Sequence, residues 1–131
     1  MTQNIDQQLR GVLERHGTIR LALLFGSLAK GTFGRESDLD IAVGAGRTLE
    51  VQEKIALIEE LAEATGRPVD LVDLSTVGEP LLGQILAGGR RILGDDAGHA
   101  ELVLKHLYNQ ADFGPYQKRI LQQRRAAWIG Q

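Results

Sequence analysis

The sequence contains no cysteine, three prolines and one tryptophan among its 131 residues, and only 5% of it is aromatic. Without cysteine, disulfide bonds and thiolate metal sites are excluded, which fits a reducing compartment. No apolar run approaches the roughly 20 residues of a transmembrane helix. The polar first six residues lack the basic and apolar regions of a signal peptide. These absences predict a cytoplasmic protein with no membrane association.

Neither sign of charge is in large excess, because 15 basic and 17 acidic side chains give a net charge of −2. No global basic field draws the chain to nucleic acid, so we expect no stable nucleic-acid binding. Hydrophobic residues make up 43% of a chain whose length suits one domain. We expect a core over residues 1–95 and a C-terminal helical extension of the same domain over residues 96–131.

The most informative stretch begins with an apolar run that ends at Gly26-Ser27, a pattern typical of a buried strand that stops at a tight turn. The ten residues that follow predict a short helical turn and a loop. A second strand is predicted to begin at Asp38. The alternation of side chains along a strand puts Asp38 and Asp40 on the same face.

Two carboxylates on one face beside a Gly-Ser turn suit metal-dependent phosphoryl chemistry. Asp38 and Asp40 offer oxygen ligands to Mg²⁺, which usually also binds substrate phosphates. Two such ions about 3.5–4 Å apart clamp the attacking and leaving oxygens of an in-line displacement. Asp70, in a third strand-like run, is the candidate for the third carboxylate. Gly26 lets the backbone approach a ligand closely, and Ser27 offers a hydroxyl and an N–H to a phosphate.

Four basic residues are less specific candidates for binding phosphate. Lys30 and Arg35, between the Gly-Ser pair and the Asp-x-Asp motif, are weaker candidates for holding the phosphates. Arg90 and Arg91 are either solvated or steer a triphosphate. A Gly-Ser pair by itself is an ordinary turn, and Asp-x-Asp is often a solvated strand edge. Their combination with the surrounding strands and helix favours a functional site.

The remaining pattern predicts an α/β (α+β) fold, in which a small mixed sheet has flanking helices. Strands are expected at residues 21–25, 38–43, 68–74 and 90–94. Helices are expected at 4–16, from a cap at Thr48 to about Thr65, at 76–88, and onward from a cap at Asp95 or Asp96. A strand–helix–strand order implies a crossover, which would bring the third strand beside the second.

Several side chains are assigned structural roles. His16 is predicted to interact with the last carbonyls of the first helix. Asp73 points away from Asp70 and is predicted either to cap a neighbouring segment or to face solvent. The glutamates of the helix that ends at Thr65 are predicted to be solvated. That helix is expected to bury the stripe Val51, Ile55, Ile58, Ala62 and Thr65.

At the Gly-Ser and Asp-x-Asp motifs the chain resembles the minimal nucleotidyltransferases of the DNA-polymerase-β-like nucleotidyltransferase superfamily. The resemblance covers about residues 19–74. It implies the polymerase-β-like fold and transfer of a nucleoside monophosphate from a triphosphate to a hydroxyl. It also implies that Asp38, Asp40 and Asp70 bind two Mg²⁺ ions, and all three aspartates are present here.

Small proteins similar to this one are often the antitoxin of a pair whose toxin is a helical HEPN ribonuclease. The resemblance implies an enzyme that transfers AMP from ATP to a tyrosine of the toxin. The alternatives are transfer to a small hydroxylated molecule such as an aminoglycoside, and an antitoxin that acts by binding alone.

The C-terminal segment, residues 116–129, follows Gly114-Pro115 and carries basic side chains but no acid. It predicts a basic amphipathic helix that packs on its own core, docks onto a protein partner or touches nucleic acid. Its apolar side is formed by Ile120, Leu121, Trp128 and Ile129.

Overall fold

The computed structural model describes residues 4–31, 34 and 37–113. Arg35 and the predicted C-terminal helix lie outside the described residues. Within them, no helix is both long and apolar enough to span a membrane. The described elements are α1 (Ile5–Arg15), β1 (Leu21–Phe25), α2 (Gly26–Lys30), β2 (Leu39–Gly44), α3 (Val51–Thr65), β3 (Val69–Asp73), α4 (Leu81–Gly88), β4 (Arg90–Leu93) and α5 (Asp96–Phe113).

The strands form one mixed sheet in the order β3-β2-β1-β4. β1 pairs antiparallel with β2 and with β4, while β2 and β3 run parallel. Parallel neighbours need a crossover, and α3 supplies it. The predicted mixed sheet, with the third strand beside the second, is therefore confirmed.

Both faces of the sheet are covered by helices that bury apolar side chains against it. On one face, Leu13 of α1 and Leu61 of α3 join the apolar side of β2 in one cluster. On the other face, Leu82 of α4 and Leu102 of α5 join residues of β1 in a second cluster. Each such side chain contributes about 1.5–3 kcal/mol when it is fully buried. The sheet is thus held from both sides.

The buried stripe of α3 differs from the predicted one. Val51 and Ile55, which were expected to face the core, are 71% and 50% exposed, whereas Leu57 and Leu61 are buried. The other members of the predicted stripe are half-buried. Apolar residues occur on two sides of this helix, and packing against α1 and β3 selects the side that carries the leucines. The predicted face was therefore wrong.

Two glutamates of α3 are bonded rather than solvated, contrary to the prediction. The ring of His16 hydrogen-bonds the carboxylate of Glu60 and so joins α1 to α3, while the backbone N–H of His16 donates to the carbonyl of Leu13 in the last turn of α1, at 3.1 Å. Glu53 accepts two hydrogen bonds from Arg47, of 2.8 and 3.0 Å. The Arg47 side chain and the backbone N–H of Glu50 lower the pKa of Glu53 to about 2.

The start of α3 is set by a different residue from the one predicted. Its N-cap is Glu50, not Thr48. The Glu50 side chain accepts a backbone hydrogen bond from the first turn, and its own backbone N–H donates to Glu53 at 3.0 Å. This reciprocal capping box satisfies donors that a helix start otherwise leaves unpaired.

The starts of the last two helices are set by the residues that precede them, Pro80 and Asp95. α4 begins at Leu81 rather than at residue 76. Pro80 disfavours helical geometry in the residue before it, which explains the later start. At the next helix, Asp95 accepts a hydrogen bond of 2.8 Å from the N–H of Gly98, so the predicted cap of α5 is Asp95.

Candidate active site

Strand pairing brings two of the predicted carboxylates into register. In the parallel pair of β2 and β3, Asp40 lies directly opposite Asp70. On its other side Asp40 pairs with Phe25, the last residue of β1. Asp38 lies just before β2, which begins at Leu39 rather than at Asp38 as predicted. The predicted proximity of Asp70 to Asp40 is confirmed, and their metal-binding role stays a prediction.

Gly26 closes the turn after β1 against the carboxylate of Asp40. Its φ is +73°, a left-handed conformation that other residues rarely adopt. A Cβ added at this glycine would lie 2.2 Å from Oδ2 of Asp40. The turn therefore requires glycine both for its backbone conformation and for the space that the carboxylate occupies.

Asp40 is the electrostatic centre of the group. Burial raises the pKa of Asp40, and the nearby charges of Asp70 and then Asp38 raise it further. Both causes disfavour the ionised form, since an isolated anion loses hydration on burial and like charges repel. A bound cation would remove that penalty, because it neutralises the charges that raise the pKa.

The aspartates are neighbours but do not form a preassembled metal cage. Among the described residues, no three His, Cys, Asp or Glu side chains are already gathered as a metal-binding group. Asp38 and Asp70 are exposed and Asp40 is half-buried, so their side chains have room to rearrange. All three side chains supply oxygen, which is the ligand type that Mg²⁺ takes.

Two of the three side chains predicted to hold phosphates, Ser27 and Lys30, lie in the short helix α2. Ser27 follows Gly26 in the short helix α2 and is half-buried. Lys30 ends that helix, and its Cε lies 3.6 Å from a Cβ added at Gly88, so its stem lies beside the end of α4. Arg35 is outside the described residues. Phosphate binding by these residues stays a prediction.

Arg67 is a residue that the sequence reasoning missed. Its guanidinium donates hydrogen bonds to the carbonyls of Gly34 at 2.9 Å and Ser37 at 3.0 Å. Ser37 immediately precedes Asp38, so Arg67 fixes the backbone that leads into the Asp-x-Asp motif. No local signal marks this role, because Arg67 is 30 residues away from Ser37 in the sequence.

Asp73 is buried and hydrogen-bonded to backbone N–H groups, unlike the exposed Asp70. It is only 6% exposed and accepts hydrogen bonds from the N–H of Leu49 and from the N–H and hydroxyl of Ser75. Burial raises its pKa, but these hydrogen bonds outweigh burial and the net pKa is lowered. Of the two predicted roles, capping is confirmed and exposure to solvent is wrong.

Arg90 and Arg91 both have carboxylate partners. Arg90 donates to both oxygens of Asp6, at 3.0 and 2.8 Å, and so ties β4 to α1. Arg91 donates to Asp96 at 2.9 Å, near the start of α5. Both arginines are exposed, as the solvated alternative predicted, and their ion pairs add contacts from β4 to α1 and to the start of α5.

Solved structures share this architecture over nearly the whole chain. A chain in a crystal structure of a toxin–antitoxin with AMP-PNP is 29% identical, with a TM-score of 0.77, and the match covers 92% of this chain and 98% of that one. A chain in a structure of a tri-AMPylated Shewanella oneidensis HEPN toxin in complex with an MNT antitoxin is 25% identical, with a TM-score of 0.71, and the match covers 93% of this chain and 97% of that one.

Sequence comparison agrees with the structural comparison. Protein adenylyltransferase MntA of Shewanella oneidensis is 41% identical over 76 residues, which is 58% of this chain and 55% of that protein. The matched part thus spans about half the length of this curated relative. The model of the family described as polymerase beta, nucleotidyltransferase matches residues 7–98. With its sheet, its Gly-Ser turn and its paired aspartates, the chain belongs to the polymerase beta nucleotidyltransferase family.

Proposed function

We propose that this protein is a Mg²⁺-dependent adenylyltransferase that transfers AMP from ATP to a tyrosine hydroxyl of a cognate HEPN toxin and thereby acts as an antitoxin. The observation that carries the proposal is the register of Asp40 with Asp70, with Gly26 against the Asp40 carboxylate. The relatives named above support the substrate and the partner, since they include an AMP-PNP complex and an AMPylated toxin complex.

In this proposal Asp38, Asp40 and Asp70 would together hold two Mg²⁺ ions. Bound Mg²⁺ supplies charge stabilisation for the attacking and leaving oxygens. The three carboxylates fit such ions because they present only oxygen ligands, and because burial and then the neighbouring negative charges raise the pKa of Asp40, a penalty that a cation would relieve. Ser27, next to Gly26, holds the β- and γ-phosphates, and Lys30 and Arg35 are weaker candidates for the same task.

The proposed reaction is an in-line displacement at the α-phosphorus of ATP. The acceptor hydroxyl oxygen forms a bond to this phosphorus, and the bond to the bridging oxygen of pyrophosphate breaks. Asp70 helps the hydroxyl lose its proton, and pyrophosphate carries away the leaving electron pair. Ser27 would hold the β- and γ-phosphates so that pyrophosphate leaves in line, because transfer depends on near-attack geometry.

The test uses the purified protein, its cognate HEPN toxin, Mg²⁺ and ATP labelled in the α-phosphate. We expect label on the toxin with the wild-type protein, and a loss of about 10²–10³-fold in transfer rate with Asp70→Asn, since one electrostatic element is often worth that factor. ATP affinity should be largely retained. Glu63→Gln, on the exposed side of α3, is the matched control.

Two results would contradict the proposal. A stable complex that neutralises the toxin without label on it would make this protein an antitoxin that acts by binding alone. Wild-type transfer by Asp70→Asn would remove Asp70 from the catalytic group.

A further inference from the structure

The short helix α2 carries Ser27, the residue proposed to hold the phosphates, and it is too short to keep its own position. It has five residues, Gly26–Lys30, and follows β1 without a break. Isolated helices of this length are unstable in water, so tertiary contacts must place it. Leu28, which is 3% exposed, anchors α2 in the core. The end of the helix that lies away from Ser27 needs a contact of its own.

That contact comes from Arg90, the first residue of β4. Nη1 of Arg90 donates to the carbonyl of Ala29, at 3.4 Å. The last carbonyls of a helix have no partner within the helix, and an arginine side chain is one of the groups that satisfy them. The residues just before β4 also lie beside α2, because Cε of Lys30 is 3.6 Å from a Cβ added at Gly88. The start of β4 therefore supports the C-terminal end of α2.

The guanidinium of Arg90 is held in this position by Asp6. Nε and Nη2 of Arg90 donate to the two carboxylate oxygens of Asp6, at 3.0 and 2.8 Å. Such a two-pronged pair fixes the orientation of the guanidinium as well as its distance. The backbone of Arg90 is fixed as well, since it pairs with Leu24 of β1, two residues before Gly26. Each of the three guanidinium nitrogens thus has an acceptor within the protein.

We propose that Arg90 is a positioning residue for the phosphate-binding turn: held by Asp6, it fixes the C-terminal end of α2 and thereby the place of the Ser27 hydroxyl. This inference rests on the proposed function, which assigns the β- and γ-phosphates to Ser27. Ala29 and Ser27 belong to the same single turn of helix, so a displacement at the carbonyl of Ala29 also moves Ser27. Arg90 acts on the phosphates through α2 and does not itself contact them.

Nucleotide binding separates this role from a general structural one. The affinity of the full-length protein for ATP with Mg²⁺ is measured by calorimetry, and that for AMP by competition with ATP. Arg90→Met should weaken ATP binding about 10-fold, the value of one hydrogen bond to a charged group. AMP binding should stay unchanged, because AMP lacks the β- and γ-phosphates. Arg91→Met is the matched control and should change neither affinity, since Arg91 pairs with Asp96 at the start of α5.

A double-mutant cycle tests whether Arg90 acts through Ser27. Ser27→Ala should itself weaken ATP binding, and adding Arg90→Met should weaken it by less than about 2-fold more, because effects on one shared interaction are not additive. Exposed ion pairs contribute little to stability, so both arginine variants should melt near the wild-type temperature. Arg90→Lys, which keeps a cationic donor, should recover part of the ATP affinity.

Three results would overturn the proposal. Unchanged ATP binding by Arg90→Met would remove this arginine from any role at the site. Equal losses of ATP and AMP affinity would make its contacts structural only. Fully additive losses in the double variant would mean that Arg90 acts independently of Ser27. Failure of the transferase proposal is a different result, because the toxin would then stay unlabelled while ATP binding still depended on Arg90.

Discussion

A Cβ added at Gly26 would lie 2.2 Å from Oδ2 of Asp40, so the turn after β1 and the carboxylate on β2 occupy adjoining space. This contact links the Gly-Ser motif to the Asp-x-Asp motif, although the sequence separates them by ten residues. A side chain larger than hydrogen at Gly26 would therefore collide with the Asp40 carboxylate. A substitution at the glycine is therefore a test of the carboxylate.

Gly26→Ala should lower AMP transfer by at least about 100-fold, because the new methyl group displaces the Asp40 carboxylate and a misplacement of about 1 Å costs that much. The left-handed backbone adds a stability cost of about 1–2 kcal/mol. Gly66→Ala is the matched control, because Gly66 has a φ of +68° and open space around it. Transfer rate and melting temperature are measured for both. Equal transfer by the two variants would separate Gly26 from the site.

Asp40→Asn should raise stability at neutral pH while it abolishes most transfer. The pKa of Asp40 is raised in the folded protein, so its ionisation destabilises the fold as pH rises through that pKa. Removing the charge should therefore stabilise the protein, because it relieves the loss of hydration on burial and the repulsion from Asp70 and Asp38. The difference should vanish below the unfolded pKa of about 4. Melting curves from pH 3 to 8 check this, and Mg²⁺ should stabilise the wild-type protein more than the variant.

Asp73→Asn should destabilise the protein by about 1–3 kcal/mol, because a buried carboxylate that accepts hydrogen bonds from Leu49 and Ser75 loses its charge. The folded pKa of Asp73 is lowered, so its contribution is present above about pH 4 and disappears as pH falls through the folded pKa. Denaturant unfolding at pH 7 and at pH 3 measures this. Transfer per folded molecule should remain near wild type, and a loss like that of Asp70→Asn would contradict the separation of the two aspartates.

Arg67→Met should lower the rate of transfer by about 10-fold or more. The carbonyls of Gly34 and Ser37 lose the guanidinium donor, so the backbone that leads into Asp38 is held less firmly. A purely structural role would lower the melting temperature without changing transfer per folded molecule. The maximal rate and the KM for ATP are therefore measured alongside melting. Arg67→Lys, which keeps a cationic donor, should recover part of the rate. Arg10→Met, on the exposed side of α1, is the control.

Long-range partners were the features that sequence reasoning missed. Arg67 bonds carbonyls about 30 residues earlier, and His16 bonds Glu60 across 44 residues. No local pattern specifies such a pair, because each residue taken by itself fits a solvated surface. The prediction of the buried side of α3 was wrong for a related reason. Its apolar residues fit two stripes, and the position of α1 decides which one is buried.

The sequence by itself determined the strands and the Gly-Ser turn, because these depend on neighbours a few residues apart. Tertiary structure decided the rest of the site. The parallel pairing of β2 with β3 sets Asp40 opposite Asp70 and leaves Asp73 buried among backbone donors. Two aspartates three residues apart thus have different environments, since one faces other carboxylates and the other faces N–H groups.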